Sequence, residues 1–167
     1  RFRNFVADAP DWNVSRQRYW GIPLPIWKPV DTESYTAEDC LVVGTRADLA
    51  ERVDQDVDPA NLDLHRPGVD PLTITEDGTT YERVPDVFDV WIDSSVATWA
   101  TLDYPGSVDT GTDEQGSTPK GTEAFEELWP ADLIVEAHDQ TRGWFWSQLG
   151  MGTAALDRIP YDEVVMH

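Results

Sequence analysis

The C-terminal quarter of the chain places a helix-compatible run between two strand-like runs, and this order restricts the fold more than any other feature. Leu133-Ile134-Val135 is a short apolar run bounded by polar residues, which predicts a strand buried on both faces. Gln140–Leu156 is apolar at intervals and lacks proline, and Tyr161–Met166 resumes strand character. Strand, helix and strand in this order predict a βαβ unit with parallel strands. The chain is therefore predicted to have an α/β fold.

The charge is strongly acidic. Asp and Glu number 32 against 12 Lys and Arg, which gives a formal charge of −20, and Asp outnumbers Glu by 21 to 11. The acids spread from Asp8 to Glu163, which excludes a localised acidic tail. Because salt screens such a surface, the pattern favours a protein of a salt-rich, halophilic cytoplasm. The alternative is an ordinary acidic protein that avoids nucleic acid.

Several classes of protein are excluded by composition. Cys40 is alone, so neither an internal disulfide nor a zinc cage built with the three histidines is expected. No run approaches the roughly 18 apolar residues of a membrane span. With 40% apolar residues and eight Trp, the chain can bury a core as one domain. We expect a cytoplasmic protein without a membrane partner.

Two local patterns between residues 45 and 84 are informative. Leu72–Thr75 and Thr80–Val84 flank Glu76–Thr79, which contains Asp-Gly and predicts a small β-hairpin. Arg46–Val53 carries apolar residues at helical spacing, and Thr45 can cap it, which predicts a short helix.

Other stretches predict irregular or extended structure. Asp54–Pro71 and the Gly-rich Asp103–Gly121 indicate loops. Gly21–Trp27 alternates apolar residues with prolines, which suits an edge strand or an extended segment. The chain begins with Arg1, and Val164–His167 resembles the middle of a buried strand, so we expect a piece of a longer protein.

Polar residues follow the first strand of the predicted βαβ unit. Ligands of open parallel sheets bind beyond the carboxyl ends of the strands, and this rule selects Glu136, His138, Asp139 and Gln140. Asp139 alone is more simply explained as a helix N-cap. Together, the carboxylates and the amide suit sugar hydroxyls or an ammonium group, so binding is expected here in preference to catalysis.

Two tryptophans are candidates for the walls of a binding pocket. Trp91 follows the Val87–Val90 run, and Trp144 falls in the first turns of the predicted helix, with Trp146 expected to face elsewhere. A tryptophan usually belongs to the core. Two of them near a strand end can instead form the walls of a small apolar pocket, and spacing does not separate these interpretations.

Three blocks of the sequence together resemble a known family. DWNVSRQRYWGIPLPIW (Asp11–Trp27), DVWIDSS (Asp89–Ser95) and EAHDQTRGWF (Glu136–Phe145) are similar to successive blocks of the class I aminoacyl-tRNA synthetases. The first block is shared by the isoleucyl, leucyl and valyl enzymes. The DQTRGW sequence resembles the isoleucyl-tRNA synthetases in particular, and the order of the blocks agrees across almost the whole chain.

The resemblance implies a fold and a place in a larger enzyme. Residues 1–167 would be the C-terminal half of a Rossmann-type parallel-sheet catalytic domain, following the editing-domain insertion, with residues 28–84 as a small insert that includes the hairpin. The HIGH and KMSKS signatures for ATP would lie outside this chain, so the isolated chain is expected to be inactive. ATP with Mg²⁺ would act as the substrate complex, and no zinc is expected because Cys40 is alone.

The resemblance also implies binding roles, without a catalytic residue or a metal ligand in this chain. The residues implied for isoleucine are Trp91 and Trp144, as pocket walls, and Gln140, near the amino and carbonyl groups. The residues implied for the adenylate ribose are Glu136, the backbone of Ala137, and Asp139. Many relatives have Gly at the position of Ala137, where a methyl group makes the backbone approach to the ribose less close.

The resulting hypothesis is an ATP-dependent ligase that forms isoleucyl-adenylate and transfers isoleucine to tRNA(Ile), expected to be a monomer. Valyl and leucyl enzymes are the alternatives within the family. A non-catalytic, tryptophan-rich binding module for carbohydrate is the alternative outside it. That module would need exposed Trp rings in a row and a C-terminal quarter without the strand–helix–strand order.

Overall fold

A computed structural model describes residues 2–32, 34–105 and 122–167. The described residues divide into two compact units, one formed by Arg1–Trp12 with Trp91–His167 and the other by Asn13–Val90. The helices are α1 (Phe2–Ala7), α2 (Arg46–Arg52), α3 (Val90–Ser95), α4 (Ala97–Ala100), α5 (Thr122–Leu128) and α6 (Trp144–Leu156), with 3₁₀ turns at Ala37–Asp39 and His138–Arg142. The strands are β1 (Ser15–Arg16), β2 (Ile26–Pro29), β3 (Leu41–Val42), β4 (Thr73–Glu76), β5 (Thr79–Arg83), β6 (Val87–Phe88), β7 (Ala131–Glu136) and β8 (Tyr161–Met166).

The unit Asn13–Val90 is built on an antiparallel sheet of four strands in the order β3-β2-β5-β4, and β1 pairs separately with β6. Strand β2 therefore lies inside the sheet, so the alternative of an edge strand is wrong for Ile26 and Trp27. Residues 21–25 lie outside the strands, which is compatible with the alternative of an extended segment. The prolines do not break the ladder because Pro23 and Pro25 precede β2 and Pro29 is its last residue.

The hairpin and the short helix predicted in this unit are both confirmed. Strands β4 and β5 pair in register across Asp77 and Gly78, whose φ angles of 49° and 80° suit the tight turn. Helix α2 begins after Thr45, whose side chain accepts a 3.0 Å hydrogen bond from the backbone N–H of Asp48.

The core of this unit lies on one face of the sheet and includes residues from the predicted loop. Residues 54–71 contain neither a helix nor a strand, as predicted, yet Val69 is buried. The buried apolar residues that pack together are Trp27, Val43, Leu49, Val53, Val69, Leu72 and Ile74.

The other unit contains the strand–helix–strand order that the sequence predicts. Strands β7 and β8 are parallel, with Ile134 opposite Val164, and α6 connects them. A 3₁₀ turn covers the first part of the predicted helix, so α6 begins at Trp144 instead of Gln140. The chain is thus a mixed α/β protein in which, among the described strands, β7 and β8 are parallel and the others are antiparallel.

The prediction that the first strand of this unit is buried on both faces is wrong for the described chain. Ile134 is buried against Phe145, whereas Leu133 and Val135 are 47% and 51% exposed. Val165, which is paired with Val135, is also exposed, and Glu163 is paired with Leu133. One face of the β7–β8 sheet is therefore open and carries three exposed apolar residues beside one acid. Of the loop predicted at residues 103–121, residues 106–121 lie outside the described residues.

Candidate functional site

The three residues that the resemblance assigns to the ribose lie where β7 ends. Glu136 is the last residue of β7, Ala137 precedes the 3₁₀ turn, and Asp139 lies in its first turn. Both carboxylate-bearing residues are exposed, and the Ala137 N–H donates to Oε2 of Glu136 at 3.3 Å. Backbone hydrogen bonds between His167 and both Glu136 and His138 fix this strand end. Exposed carboxylates at the carboxyl end of a parallel strand can accept hydrogen bonds from ligand hydroxyls.

Gln140 is held by its backbone and by its side chain. Its N–H donates to the Ala137 carbonyl at 3.0 Å, and its own carbonyl accepts from the Gly143 N–H at 3.1 Å. Its Oε1 accepts a 2.8 Å hydrogen bond from the backbone N–H of Trp144, the first residue of α6. This bond satisfies one of the free N–H groups at the start of the helix and identifies the other end of the amide, Nε2, as the donor available to a ligand.

Trp144 is anchored by its indole. Nε1 donates a 2.9 Å hydrogen bond to the carbonyl oxygen of Ser94 in α3, and the half-buried ring packs against the core around Ile134 and Phe145. The ring orientation is therefore fixed by α3 at one end and by the β7–α6 core at the other. A large ring held in this way defines shape at little cost in conformational entropy.

Trp91 lies beside Gln140 and Gly143. A methyl group added at Gly143 would contact Oε1 of Gln140 and would lie 3.5 Å from Cη2 of Trp91. Trp91 is 40% exposed, and its carbonyl accepts a hydrogen bond from the Ser95 hydroxyl. The structure thus brings the ring of Trp91 and the amide of Gln140 together around a glycine, where a side chain would have to displace that amide.

A cavity of about 130 Å³ opens next to Trp91. It is lined by Trp12, Trp91, Arg142, Gly143, Trp146 and Ser147. An apolar cavity of about 150 Å³ is large enough for benzene, so this one accommodates an aliphatic group of a few carbons. Trp144 is not among the residues that line this cavity, because its indole is directed to Ser94.

Two tryptophans that line this cavity, Trp12 and Trp146, were not among the candidate site residues selected from the sequence. Trp146 faces away from Trp144, as expected, but it is Trp146 that lines the cavity with Trp91. Its ring lies 5.2 Å from that of Trp12 and 6.2 Å from that of Phe5. Its spacing of three residues from Gly143 places the two on one helical face, which was an available signal. No local pattern connects Trp12 to Trp91, which lies 79 residues later.

Within the described part of the chain, no group of three or more His, Cys, Asp or Glu residues is arranged to hold a metal ion. The described residues also contain no helix long and apolar enough to cross a membrane.

The family model for class I tRNA synthetases (I, L, M and V) matches residues 1–167. The chain belongs to the class I aminoacyl-tRNA synthetases. Its fold is also similar to that of the LeuRS in a ternary LeuRS–tRNA–LeuAMS complex from Agrobacterium radiobacter K84, with a TM-score of 0.50 at 18% identity. That likeness covers 94% of this chain and 19% of the LeuRS chain, and it concerns the fold alone.

Three curated relatives of this synthetase chain are isoleucine–tRNA ligases. Isoleucine–tRNA ligases of Haloquadratum walsbyi and Halobacterium salinarum are each 68% identical over all of this chain. The isoleucine–tRNA ligase of Methanothrix thermoacetophila is 49% identical over the same extent. The chain spans only 14 to 15% of the length of these relatives.

Proposed function

We propose that this chain is part of an isoleucine–tRNA ligase and that it supplies the isoleucine pocket and the ribose-binding residues of the catalytic domain. The observation that carries the proposal is the convergence of Trp91, Gln140 and Gly143 next to a strand end that presents exposed carboxylates. The identity of 68% to isoleucine–tRNA ligases along the whole chain supports the choice of amino acid.

The larger architecture is part of the proposal. We infer that β7, α6 and β8 form a βαβ crossover of a Rossmann-type sheet in the C-terminal half of the catalytic domain. Residues 28–84 would be an insert, and they fall inside the compact unit Asn13–Val90. The exposed apolar face of Leu133, Val135 and Val165 supports this reading, since a parallel sheet ordinarily has both faces covered. In the complete enzyme, the rest of the catalytic domain would cover that face.

The isoleucine side chain would enter between tryptophan rings. The Trp91 ring, which is partly exposed, would contact the aliphatic side chain, and Trp144, fixed by its bond to Ser94, would form the second wall. The cavity beside Trp91 and Trp146 would take the end of the aliphatic chain. Gly143 keeps this region open because any side chain there would meet Gln140.

Gln140 would orient the reacting end of the amino acid. Because Oε1 is engaged by the Trp144 N–H, its Nε2 group would donate to the carbonyl oxygen of isoleucine. Glu136, the backbone of Ala137, and Asp139 would contact the ribose hydroxyls of the adenylate. The methyl group of Ala137 projects from a backbone in extended conformation, with φ of −64° and ψ of 154°.

The proposed reaction has two steps. The isoleucine carboxylate attacks the α-phosphate of ATP, forming isoleucyl-adenylate and releasing pyrophosphate with its Mg²⁺. A hydroxyl of the terminal ribose of tRNA(Ile) then attacks the carbonyl carbon of the adenylate, forming the ester and releasing AMP. Both steps depend on positioning and on charge stabilisation, so no protein nucleophile is required. The residues of this chain would contribute the positioning.

The proposed pocket would be a first sieve only. One methylene in an apolar pocket is worth about 1 to 3 kcal/mol, and isoleucine against valine is the familiar example of this limit. Valine would therefore be activated at a low level, and its removal would require an editing site elsewhere in the enzyme.

Amino-acid-dependent pyrophosphate exchange by the complete protein tests the proposal. With isoleucine, valine and leucine compared at equal concentrations in concentrated KCl, isoleucine should give the highest kcat/KM. A preference for valine or leucine would instead assign the chain to one of those two enzymes, and no exchange with any of the three would contradict the proposal. The alternative of a carbohydrate-binding module loses support because β7, α6 and β8 have the strand–helix–strand order it would lack.

A further inference from the structure

The cavity beside Trp91 is bounded on one side by Trp146. Gly143, which precedes α6 and contacts the Gln140 amide, and Trp146 both line this cavity. Three residues of helix advance by about 4.5 Å, so Trp146 lies almost one turn beyond the residue that adjoins the amide. An amino acid held at Gln140 would therefore extend its side chain past Gly143 towards the ring of Trp146.

The polar side chains that line this cavity are engaged elsewhere. The Ser147 hydroxyl donates to the Trp144 carbonyl at 3.2 Å, within α6. The guanidinium of Arg142 lies over the Phe5 ring, 5.6 Å from its centroid. The surface left to an occupant is formed mainly by tryptophan rings, which favours an aliphatic group over a polar one.

The ring of Trp146 is positioned by a segment from the opposite end of the chain. The Trp12 ring lies 5.2 Å from it at an interplanar angle of 52°, and the Phe5 ring of α1 lies 6.2 Å from it in an edge-to-face arrangement. Aromatic pairs at these separations prefer particular orientations, so both contacts restrict the ring. The wall formed by Trp146 is therefore supported from behind, and it does not yield freely to a longer ligand.

From these observations we propose that Trp146 is a specificity-determining residue that limits the length of the aliphatic side chain accepted by the site, and that Trp12 is a positioning residue for its ring. The proposal rests on the function proposed above and adds an upper limit of size to it. The volume of about 130 Å³ holds the end of an isoleucine side chain, and a further methylene would press against the supported ring.

The test compares isoleucine with 2-amino-3-methylhexanoate of the same stereochemistry, which has the same branch and one additional methylene. Amino-acid-dependent pyrophosphate exchange by the complete enzyme gives kcat/KM for both compounds on one preparation. The ratio of the two values does not depend on the concentration of active enzyme, so partial unfolding of a variant does not change it. The unmodified enzyme should favour isoleucine by about tenfold or more.

Trp146→Phe makes this wall smaller and retains an aromatic ring. It should raise kcat/KM for the longer homologue about tenfold relative to isoleucine. Trp12→Phe should shift the ratio in the same direction but by less, because it acts through the ring of Trp146. Trp99→Phe is the matched control, since it alters a buried tryptophan of the same unit that packs in another cluster, and it should leave the ratio unchanged.

The inference is overturned if the unmodified enzyme uses both compounds equally, if Trp146→Phe leaves the ratio unchanged, or if Trp99→Phe shifts it as much. None of these results would alter the preference for isoleucine over valine and leucine on which the proposed function depends. Absence of isoleucine-dependent exchange by the unmodified enzyme would overturn both proposals. If Trp146→Phe does not fold, an unchanged ratio in Trp12→Phe overturns the inference, and a shift towards the homologue supports it.

Discussion

The backbone N–H of Trp144 donates a 2.8 Å hydrogen bond to Oε1 of Gln140. This bond links the first residue of α6 to the 3₁₀ turn that follows β7, and it spans Gly143, the residue between the two helices. The orientation of the Gln140 amide therefore depends on the space above Gly143. Any group placed there changes the amide before it changes the fold.

Gly143→Ala should accordingly impair isoleucine binding. The added methyl group would contact Oε1 of Gln140, so the amide must turn away and the bond to Trp144 must weaken. We expect the KM for isoleucine to rise about tenfold, a loss of about 1.4 kcal/mol, with the KM for ATP nearly unchanged. Pyrophosphate exchange by the complete enzyme measures both constants.

Gly150→Ala is the matched control, since a methyl group at this position in α6 meets no atom within 4 Å. It should leave both KM values unchanged and raise stability by up to about 1 kcal/mol through helix propensity. Equal effects of the two substitutions on isoleucine would contradict the assigned role of Gln140.

The ion pair between Arg83 and Asp70 should dominate the stability of the unit Asn13–Val90. The Arg83 side chain is only 2% exposed, so Asp70→Asn leaves a buried charge without its carboxylate. We expect a loss of about 3 kcal/mol, the lower end for a broken buried pair. Glu82→Gln, which breaks the more exposed Lys28–Glu82 pair, should cost less than about 1 kcal/mol. Urea unfolding compares the two, and similar losses would be inconsistent with the burial of Arg83.

The pH dependence of this pair has a definite sign. Burial raises the pKa of Asp70, but the hydrogen bonds from Arg83 and Arg66 outweigh it and hold the pKa below the ordinary value of 3.8. The contribution of a carboxylate with a lowered pKa is complete above the unfolded pKa and is lost as the pH falls through the folded pKa. Below about pH 3.8, the free energy of unfolding should therefore fall more steeply with decreasing pH in the unmodified protein than in Asp70→Asn.

Tyr161 gives the corresponding prediction in alkali. Burial raises the pKa of its phenol from 10.0 to about 12, and its hydroxyl donates to the carbonyl of Phe145 at 2.8 Å. Because the folded pKa is the higher one, the stabilising contribution is present below pH 10 and is lost as the pH rises towards 12. The difference in absorbance at about 295 nm between the unmodified protein and Tyr161→Phe should titrate near pH 12; a midpoint near pH 10 would mean that the phenol is hydrated.

The net charge of −20 predicts that salt stabilises the protein. Raising KCl from about 0.1 M to about 1 M shortens the Debye length from about 10 Å to about 3 Å and screens repulsion between distant acids. The midpoint of thermal unfolding should increase over this range. A midpoint that does not change would argue that the acids are already balanced by local cations.

Local signals in the sequence were sufficient where neighbouring residues determine the structure. The Asp-Gly turn predicted β4 and β5, and the Thr45 cap predicted α2, because each is formed by residues close in the chain. The parallel pair β7–β8 was also predicted, from a change in hydrophobic period. Interactions between distant residues were not, and these include the interior position of β2 and the contact of Trp12 with Trp146.

In the candidate site, too, local features could be predicted from the sequence and contacts between distant residues could not. The position of Glu136, Asp139 and Gln140 after β7 could be predicted from strand order, whereas the cavity beside Trp91 could not. A continuous apolar run predicts that a strand is buried, but it does not show whether the covering residues belong to the same chain. The exposure of Leu133 and Val135 therefore could not be predicted.

Pyrophosphate exchange by the Trp144→Ala variant of the complete enzyme tests the central proposal most directly. If Trp91 and Trp144 form the walls of an isoleucine pocket, the KM for isoleucine should rise by about tenfold or more, while the KM for ATP stays within about twofold. Equal losses for isoleucine and ATP, or no change for isoleucine, would contradict the account.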